Sequence, residues 1–251
     1  MSQPLIVLLG LLSSAAQRPI TTPQELLAAM HARYDGKWYH TLTFLQNNTE
    51  HHPDGTIGHS TWREWLQAPG KLRIEFQPPD SGNGVFFAND SIYPFRHDSL
   101  LSERAFVHPL LVLGFDVYMQ PVERTMDQLR KAPRVFDLSV LSEGGWQGRP
   151  VWIVGAKAGD LRTRQFWVDK ERLVFVRMLE PTPRDTAKTA DTRFNKYAPM
   201  GAGGGWVSAE VAFLVDGQQQ FLEQYDEIQT NVALPAALWD PRQWKAARAA
   251  R

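Results

Sequence analysis

Residues 60–76, with the sequence STWREWLQAPGKLRIEF, alternate apolar and charged side chains on either side of a Pro-Gly pair. Successive side chains of a β-strand point to opposite faces of the sheet. An antiparallel sheet that is covered on one side gives such alternation, whereas a parallel sheet buried on both sides gives continuous apolar runs. The segment therefore predicts two adjacent antiparallel strands with one apolar face and one solvent-exposed, polar face. The residues that share the first face are Trp62, Glu64, Leu66, Leu72, Ile74 and Phe76.

Comparable strand patterns recur along most of the chain, for example in KWYHTLTFLQNNTEHH, GVFFAND, RPVWIVGAK, RLVFVRMLE and WVSAEVAFLVDG. Short turns join them, such as PDGT at residues 53–56, Asp169-Lys170 and Asp216-Gly217. Short turns favour pairing between consecutive strands. The patterns predict one meandering sheet of about ten or eleven strands, and a sheet of that size must curl.

Two segments interrupt the strands with helical patterns. The first begins with Thr22 as N-cap, Pro23 at the first helical position and Glu25 three residues after the cap, and then places Leu26, Leu27, Met30 and Tyr34 near one stripe. The second covers residues 108–133, within an insertion-like segment at 97–135. We therefore predict an α+β fold, an unclosed β-barrel with helices covering its concave face. The glycine-rich segment 200–205 is interpreted as a loop.

The N-terminus has the pattern of a secretory signal peptide. Residues 4–17 form an apolar run followed by small residues, although Met1-Ser2-Gln3 contains no basic side chain. A buried N-terminal segment is the alternative. No later stretch reaches transmembrane length. We predict a signal peptide at residues 1–17, export to the periplasm, and a single lipid-binding domain at 18–251.

Charge and composition exclude several classes of function. Lys plus Arg and Asp plus Glu both number 27, so the zero net charge argues against nucleic-acid binding. The basic tail QWKAARAAR is interpreted as a solvated helical end. Cysteine is absent, which excludes disulfides and thiol chemistry.

Motifs for catalysis are missing from the sequence. No G-x-S-x-G, Walker loop or H-E-x-x-H occurs. His51, His52 and His59 cluster around the PDGT turn, but no further ligand lies at a recognised spacing. We expect no enzyme activity, no cofactor and no metal, and keep a metal-dependent enzyme that uses these histidines as the weakest alternative.

The remaining signal is the apolar surface of the predicted hollow. The chain has nine Trp and 13 Phe, many at alternating strand positions. A one-sided sheet of this size offers more concave apolar surface than two short helices cover, and an uncovered hollow is a lipid-sized site. The residues predicted to bind lipid are Trp62, Leu66, Leu72, Ile74, Phe76, Phe87, Phe166 and Val168 on the strands, with Leu110, Leu111 and Leu113 on the helical segment. A single β-bulge would reverse the strand parity and bring Trp65 and Trp167 into the hollow instead.

The chain resembles the LolA/LolB-type lipoprotein-carrier superfamily, which includes outer membrane lipoprotein-sorting proteins. The resemblance spans residues 22–241 and is carried by DGKWYHTLTFLQ, PGKLRIEF, RQFWVDKERLVFVRM and ALPAALWDP. It implies an unclosed antiparallel barrel with a helical lid, which accepts acyl chains in the Gram-negative periplasm. Carriers of this type hold the lid with an arginine in the hollow, and no arginine of this chain is assigned to that position.

Two functions follow as hypotheses. The first is a monomeric periplasmic carrier that shields the acyl chains of a lipid or lipoprotein and exchanges them with a membrane-protein donor or acceptor. The second is a sensor or scaffold of the same fold, whose hollow is filled by its own side chains and whose outer face binds a protein.

Overall fold

The computed structural model describes residues 19–131, 135–200 and 205–249. Within these ranges the helices are α1 (Pro23–Tyr34), α2 (Pro109–Gly114), α3 (Val122–Leu129) and α4 (Trp244–Ala249). The strands are β1 (Thr41–His51), β2 (Ile57–Gln67), β3 (Lys71–Phe76), β4 (Gly84–Ala88), β5 (Ser91–Arg96), β6 (Ser99–Leu100), β7 (Arg104–Ala105), β8 (Leu141–Trp146), β9 (Arg149–Val154), β10 (Gln165–Asp169), β11 (Phe175–Pro181), β12 (Thr189–Met200), β13 (Gly205–Val215) and β14 (Gln218–Thr230).

All these strands belong to one antiparallel sheet that does not close. The order is β6-β5-β4-β3-β2-β1-β14-β13-β12-β11-β10-β9-β8, and β7 pairs with β5. The first and last strands, β1 and β14, are neighbours in the middle, so the two halves of the chain extend outward from a shared centre. This confirms the predicted α+β architecture with its curled, unclosed sheet.

The predicted number of strands was too low. The described residues form 14 strands, against the ten or eleven expected. Two of the additional strands, β6 and β7, are only two residues long and lie inside the segment interpreted as an insertion. Strands this short carry no alternation that a sequence pattern could detect.

The hairpin of residues 60–76 has the predicted register and faces. Leu66 lies opposite Leu72, and Glu64 lies opposite Ile74. Leu66 is fully buried in the main core, together with residues of α1 and α2. The residues of the other parity, Trp65 and Arg73, face the convex side of the sheet, where Trp65 joins a separate cluster.

Helix α1 begins as its sequence predicts. The Thr22 hydroxyl accepts a hydrogen bond from the backbone N–H of Glu25 at 3.2 Å, and the Glu25 carboxylate accepts one from the backbone N–H of Thr22 at 3.0 Å. This reciprocal capping box satisfies two donors that the first turn leaves unpaired. The apolar side of the helix, with Leu26, Leu27 and Met30 fully buried, lies on the concave face of the sheet.

The helical segment in the middle of the chain is more broken than predicted. It consists of α2, a single 3₁₀ turn at Asp116–Tyr118, and α3. We call residues 108–118 the lid. The Tyr118 ring stacks on Trp38 at a centroid distance of 3.8 Å, and its hydroxyl accepts a hydrogen bond from the backbone N–H of Phe175 at 2.9 Å. These contacts fix the end of the lid to the segment before β1 and to β11.

The basic tail was expected to be a solvated helical end, and the structure contradicts this. Trp244 is buried on the convex face, where it stacks on Phe95 at 4.2 Å and lies over the Arg73 guanidinium at 3.8 Å. Arg248 forms an ion pair with Asp98. The alternation of apolar and basic residues thus serves to dock α4 on the sheet.

Two predictions lie outside the described residues. The signal peptide at 1–17 is one, and the loop predicted for the glycine-rich segment, at positions 201–204, is the other. Among the helices of the described ranges, none has the length and apolar character needed to cross a membrane.

Candidate binding cavity

A cavity of about 190 Å³ lies between the lid and the middle strands of the sheet. Its apolar wall comes from both halves of the sheet and from the lid, with Phe44, Trp62, Leu66, Leu72, Ile74, Leu110, Leu111, Phe115, Phe194, Val211 and Phe213. The local sequence explains this wall, because residues of one parity on each strand face the concave side. The lid closes it because Pro109 starts α2 and the His108 ring nitrogen caps it by accepting the N–H of Leu111 at 3.2 Å.

Polar side chains also line the cavity. Gln46, Glu64, Glu223 and Tyr225 come from the central strands β1, β2 and β14, and His108 comes from the lid. The Tyr225 hydroxyl donates a hydrogen bond to Glu223 at 2.6 Å, and the Tyr225 ring stacks on Phe44 at 4.2 Å. No Lys or Arg lines the cavity in the part of the chain that the structure describes.

Both carboxyl groups of the cavity favour the neutral form. Burial raises the pKa of Glu64 well above its ordinary value, and the nearby charge of Glu223 adds to the effect. Burial also raises the pKa of Glu223 to about 7, although hydrogen bonds from Tyr225 and Gln46 act in the opposite direction. These shifts follow from removing a carboxylate from water without a cation beside it.

Comparison with solved structures identifies the architecture. The outer membrane lipoprotein-sorting protein domain from Vibrio parahaemolyticus is 12% identical, and the alignment covers 88% of this chain and 97% of that chain with a TM-score of 0.57. A LolA superfamily protein from Nitrosomonas europaea is 10% identical, with 88% and 98% covered and a TM-score of 0.54. The chain has the LolA-type fold.

A third structure with this fold is a DUF1329 family protein from Desulfovibrio piger, which is 12% identical. The alignment covers 87% of this chain and 95% of that chain with a TM-score of 0.55. A scan against protein-family models finds no match. A search of curated proteins also finds no match. The resemblance predicted from the sequence is therefore confirmed at the level of the fold.

The LolA-type hollow brings together six of the eleven residues predicted to bind lipid. These six line the cavity: Trp62, Leu66, Leu72, Ile74, Leu110 and Leu111. Four come from the hairpin of residues 60–76 and two from α2, so the pattern of alternation identified one wall and the apolar run LLVL identified the lid. Their role in binding lipid stays a prediction.

The other five predicted residues lie elsewhere. Phe76 packs beside the cavity on Trp62, with ring centroids 4.9 Å apart. Phe87 lines a neighbouring cleft. Leu113, Phe166 and Val168 are fully buried in the core and do not line this cavity. All five residues of β10 are buried, so both of its faces are covered and alternation could not identify an inner one.

The reversed parity is wrong for β2. Trp65 packs with Leu238 and Ala247 on the convex side, away from the cavity. Trp167 does not line the cavity either, and lies edge-to-face on Trp146 with a centroid distance of 5.8 Å.

Sequence reasoning missed the polar part of the site. Glu64 shares its face with Trp62 and Leu66, so its parity already indicated that it points inward. Gln46 shares its face with Phe44 in the same way. Glu223 had a weaker signal of the same kind, because it lies between Phe221 and Tyr225 at alternate positions of a strand that carries many polar residues on both faces.

A second cleft of about 270 Å³ adjoins the cavity and shares His108 and Leu111 with it. It lies between the lid, α3 and the turn after β2, and its lining includes Asp90, Asp116 and Arg124. Asp90 accepts hydrogen bonds from Arg124 and Lys131 at 2.8 and 2.9 Å. These ion pairs fasten α3 to the β4–β5 turn.

The histidines of the PDGT turn do not assemble a metal centre. Among the described residues, no three His, Cys, Asp or Glu side chains lie close enough to hold a metal ion. The Nε2 atom of His51 instead lies 3.1 Å from the side-chain amide of Gln219 on β14.

Proposed function

We propose that this protein binds an acyl chain of a lipid or lipoprotein in the cavity beneath the lid. The observation that carries the proposal is the cavity wall, in which aliphatic and aromatic side chains from both halves of the open sheet meet Leu110 and Leu111 of α2. Such a site needs no catalytic group. Each methylene that leaves water for an apolar wall contributes roughly 0.8 kcal/mol.

The volume of the cavity bears on how much chain it holds. At about 190 Å³ it exceeds the apolar cavity of ~150 Å³ that accepts benzene in another protein, but not by enough for a long chain. We propose that a longer chain enters by displacing α2. This helix has only six residues and is capped by one histidine nitrogen, so its displacement breaks little secondary structure.

The biological setting follows from the fold and the N-terminal sequence together. One solved structure with the same fold is a lipoprotein-sorting domain, and residues 1–17 have the pattern of a signal peptide. We propose a monomeric carrier in the periplasm that receives its cargo from one membrane component and delivers it to another.

Extraction of the purified protein into organic solvent, followed by mass spectrometry, tests this function. The proposal predicts acyl-containing molecules in the extract, and native mass spectrometry should show the same mass bound at one copy per chain. A chain that copurifies with nothing, and that binds no dodecanol when it is added, would contradict the proposal.

The alternative is a scaffold whose hollow is filled from within. One observation favours it, because Leu26, Phe166 and Leu113 occupy much of the concave side as fully buried core. The scaffold predicts a ligand-free monomer in both experiments and a protein partner on the convex face. The same native mass spectra therefore separate the two functions.

A further inference from the structure

We infer that the cavity selects amphipathic ligands whose head group is cationic or a neutral hydrogen-bond donor, and that it rejects anionic head groups such as the carboxylate of a free fatty acid. This inference rests on the proposed function and specifies the class of ligand. It is carried by the arrangement of Glu64, Glu223 and Gln46 on the cavity wall.

Glu64 is the central observation. The residue is only 5% exposed and lies on the cavity wall between Trp62 and Leu66, which share its face. Within the described residues its carboxyl group forms no ion pair and accepts no hydrogen bond, since the Thr43 hydroxyl goes to the backbone oxygen of Glu64 instead. Because Glu64 lines the cavity, a ligand donor placed there could form a hydrogen bond with its carboxyl group.

The neighbouring polar groups extend the acceptor surface. The Tyr225 hydroxyl donates to one carboxyl oxygen of Glu223, which also lines the cavity. Gln46 is 1% exposed, and its amide nitrogen donates to the side-chain oxygen of Asn48 at 2.8 Å. The row of hydrogen-bonded polar side chains continues to β2, because the Asn48 side-chain amide donates a hydrogen bond to the Ser60 hydroxyl at 3.2 Å.

The concave face of the central strands is therefore itself amphipathic. Along β1 it changes from Leu42 and Phe44 near one end to Gln46 and Asn48 further on. Leu72 and Leu111 stand on the apolar part of the wall. A ligand with one apolar and one polar end matches this gradient when its chain contacts the leucines and its head contacts Gln46 and the two glutamates.

Charge then determines which head group fits. Like charges brought together in a site of low dielectric repel each other strongly, and a buried charge needs a counter-charge. The titratable groups that line the cavity are Glu64, Glu223, Tyr225 and His108. No Lys or Arg is among them in the described chain, so no side chain of the wall would neutralise a carboxylate head group. An ammonium group would lower the pKa of the two acids and draw at least one of them into the charged form, which then becomes its counter-charge.

Binding of three ligands with the same chain to the full protein at pH 8 tests the inference: dodecylamine and dodecanoate, each below its micelle concentration, and dodecanol below its solubility limit. Calorimetry should give a dissociation constant at least tenfold lower for the amine than for dodecanoate, with dodecanol between them. The double variant Glu64→Gln, Glu223→Gln should reduce this ratio to about twofold or less while dodecanol binds as before. Glu227→Gln on β14 is the matched control, because Glu227 is exposed and pairs with Arg63, and it should leave the ratio unchanged.

The outcomes separate the inference from the function on which it rests. If dodecanoate binds as tightly as the amine, or if the double variant keeps the full ratio, the selectivity is overturned while acyl binding stands. If none of the three ligands binds, both are overturned. A thermal melt followed by circular dichroism checks that the double variant is folded, so that a loss of selectivity is not caused by unfolding. If the double variant melts early, the single variants Glu64→Gln and Glu223→Gln replace it in the binding measurement.

Discussion

Asp116 accepts a hydrogen bond from the backbone N–H of Gly70 at 2.8 Å, which joins the end of the lid to the turn between β2 and β3. The second carboxyl oxygen of Asp116 is buried without a hydrogen-bond partner among the described residues. Burial raises the pKa of this carboxyl to about 7, although the Gly70 hydrogen bond and the charge of Arg124 act against the shift. Its protonation state therefore affects how firmly the lid is held.

The unfolding free energy should fall as the pH rises from about 5 to 8. Asp116 and Glu223 both have a pKa of about 7 in the folded chain. The folded state therefore keeps protons that the unfolded chain loses near pH 4, so their stabilisation is present at low pH and is lost as the pH passes 7. Each group contributes a slope of up to about 1.4 kcal/mol per pH unit between these values. Urea denaturation at several pH values measures the slope.

The double variant Asp116→Asn, Glu223→Gln should reduce that pH dependence, and the part that remains belongs to Glu64, whose pKa is also raised by burial. Burial alone would raise the pKa of Asp169, but hydrogen bonds from Arg149 and the backbone lower it, so its stabilising effect is lost only below about pH 4, outside this window. A wild-type protein whose stability is constant or rises from pH 5 to 8 would contradict the account of the two buried acids.

Ile74→Asp should abolish binding of dodecanol, because it places a carboxylate on the apolar wall of the cavity. The substitution also removes a buried side chain, so the unfolding free energy should drop by about 2–5 kcal/mol. Ile57→Asp is the control, since Ile57 lies on β2 of the same sheet but is 56% exposed. Fluorescence titration of delipidated protein measures the affinity of both variants for dodecanol. Equal affinities would show that dodecanol does not bind in the cavity.

Trp244→Ala should destabilise the fold without affecting the cavity. Trp244 is 2% exposed and covers Arg73 and Phe95 on the convex side. Loss of a buried tryptophan typically costs about 3–5 kcal/mol. Lys245→Ala, on the exposed side of α4, should cost little. If chemical denaturation gave the same stability for both variants, α4 would not be docked as described.

Thr22→Ala should lower the unfolding free energy by about 0.5–2 kcal/mol, because it removes the cap of α1. Thr22→Ser keeps a hydroxyl that can accept the Glu25 N–H and should restore most of the loss. Thermal melts of the two variants distinguish capping from any other role of Thr22.

The fold could be predicted for those helices and strands that have one solvent-exposed and one buried face. The hairpin at residues 60–76 and α1 have alternation and capping signals that depend only on neighbouring residues, and both form as predicted. Phe166 on β10 could not be assigned to a cavity or to the core, because that strand is buried on both faces. The docking of α4 depends on the match between Trp244 and Arg73, which are 171 positions apart.

The polar side chains of the cavity show a second limit of prediction from the sequence. The position of Glu64 on the inner face followed from its parity, but a single charged residue on an apolar face could not reveal that a second one faces it. Glu223 reaches the same cavity only because β14 pairs with β1, which brings the last strand beside the first. Such long-range pairing is absent from any local pattern.

The most direct test of acyl binding is the measurement of intermolecular NOEs between a ¹³C-labelled dodecanol chain and the methyl groups of the protein. Binding of the chain beneath the lid predicts NOEs to Leu66, Leu72, Ile74 and Leu111, which line the cavity, and none to the exposed methyls of Ile57 or Leu101. NOEs confined to the exposed methyls, or a chain that gives none at saturating concentration, would contradict it.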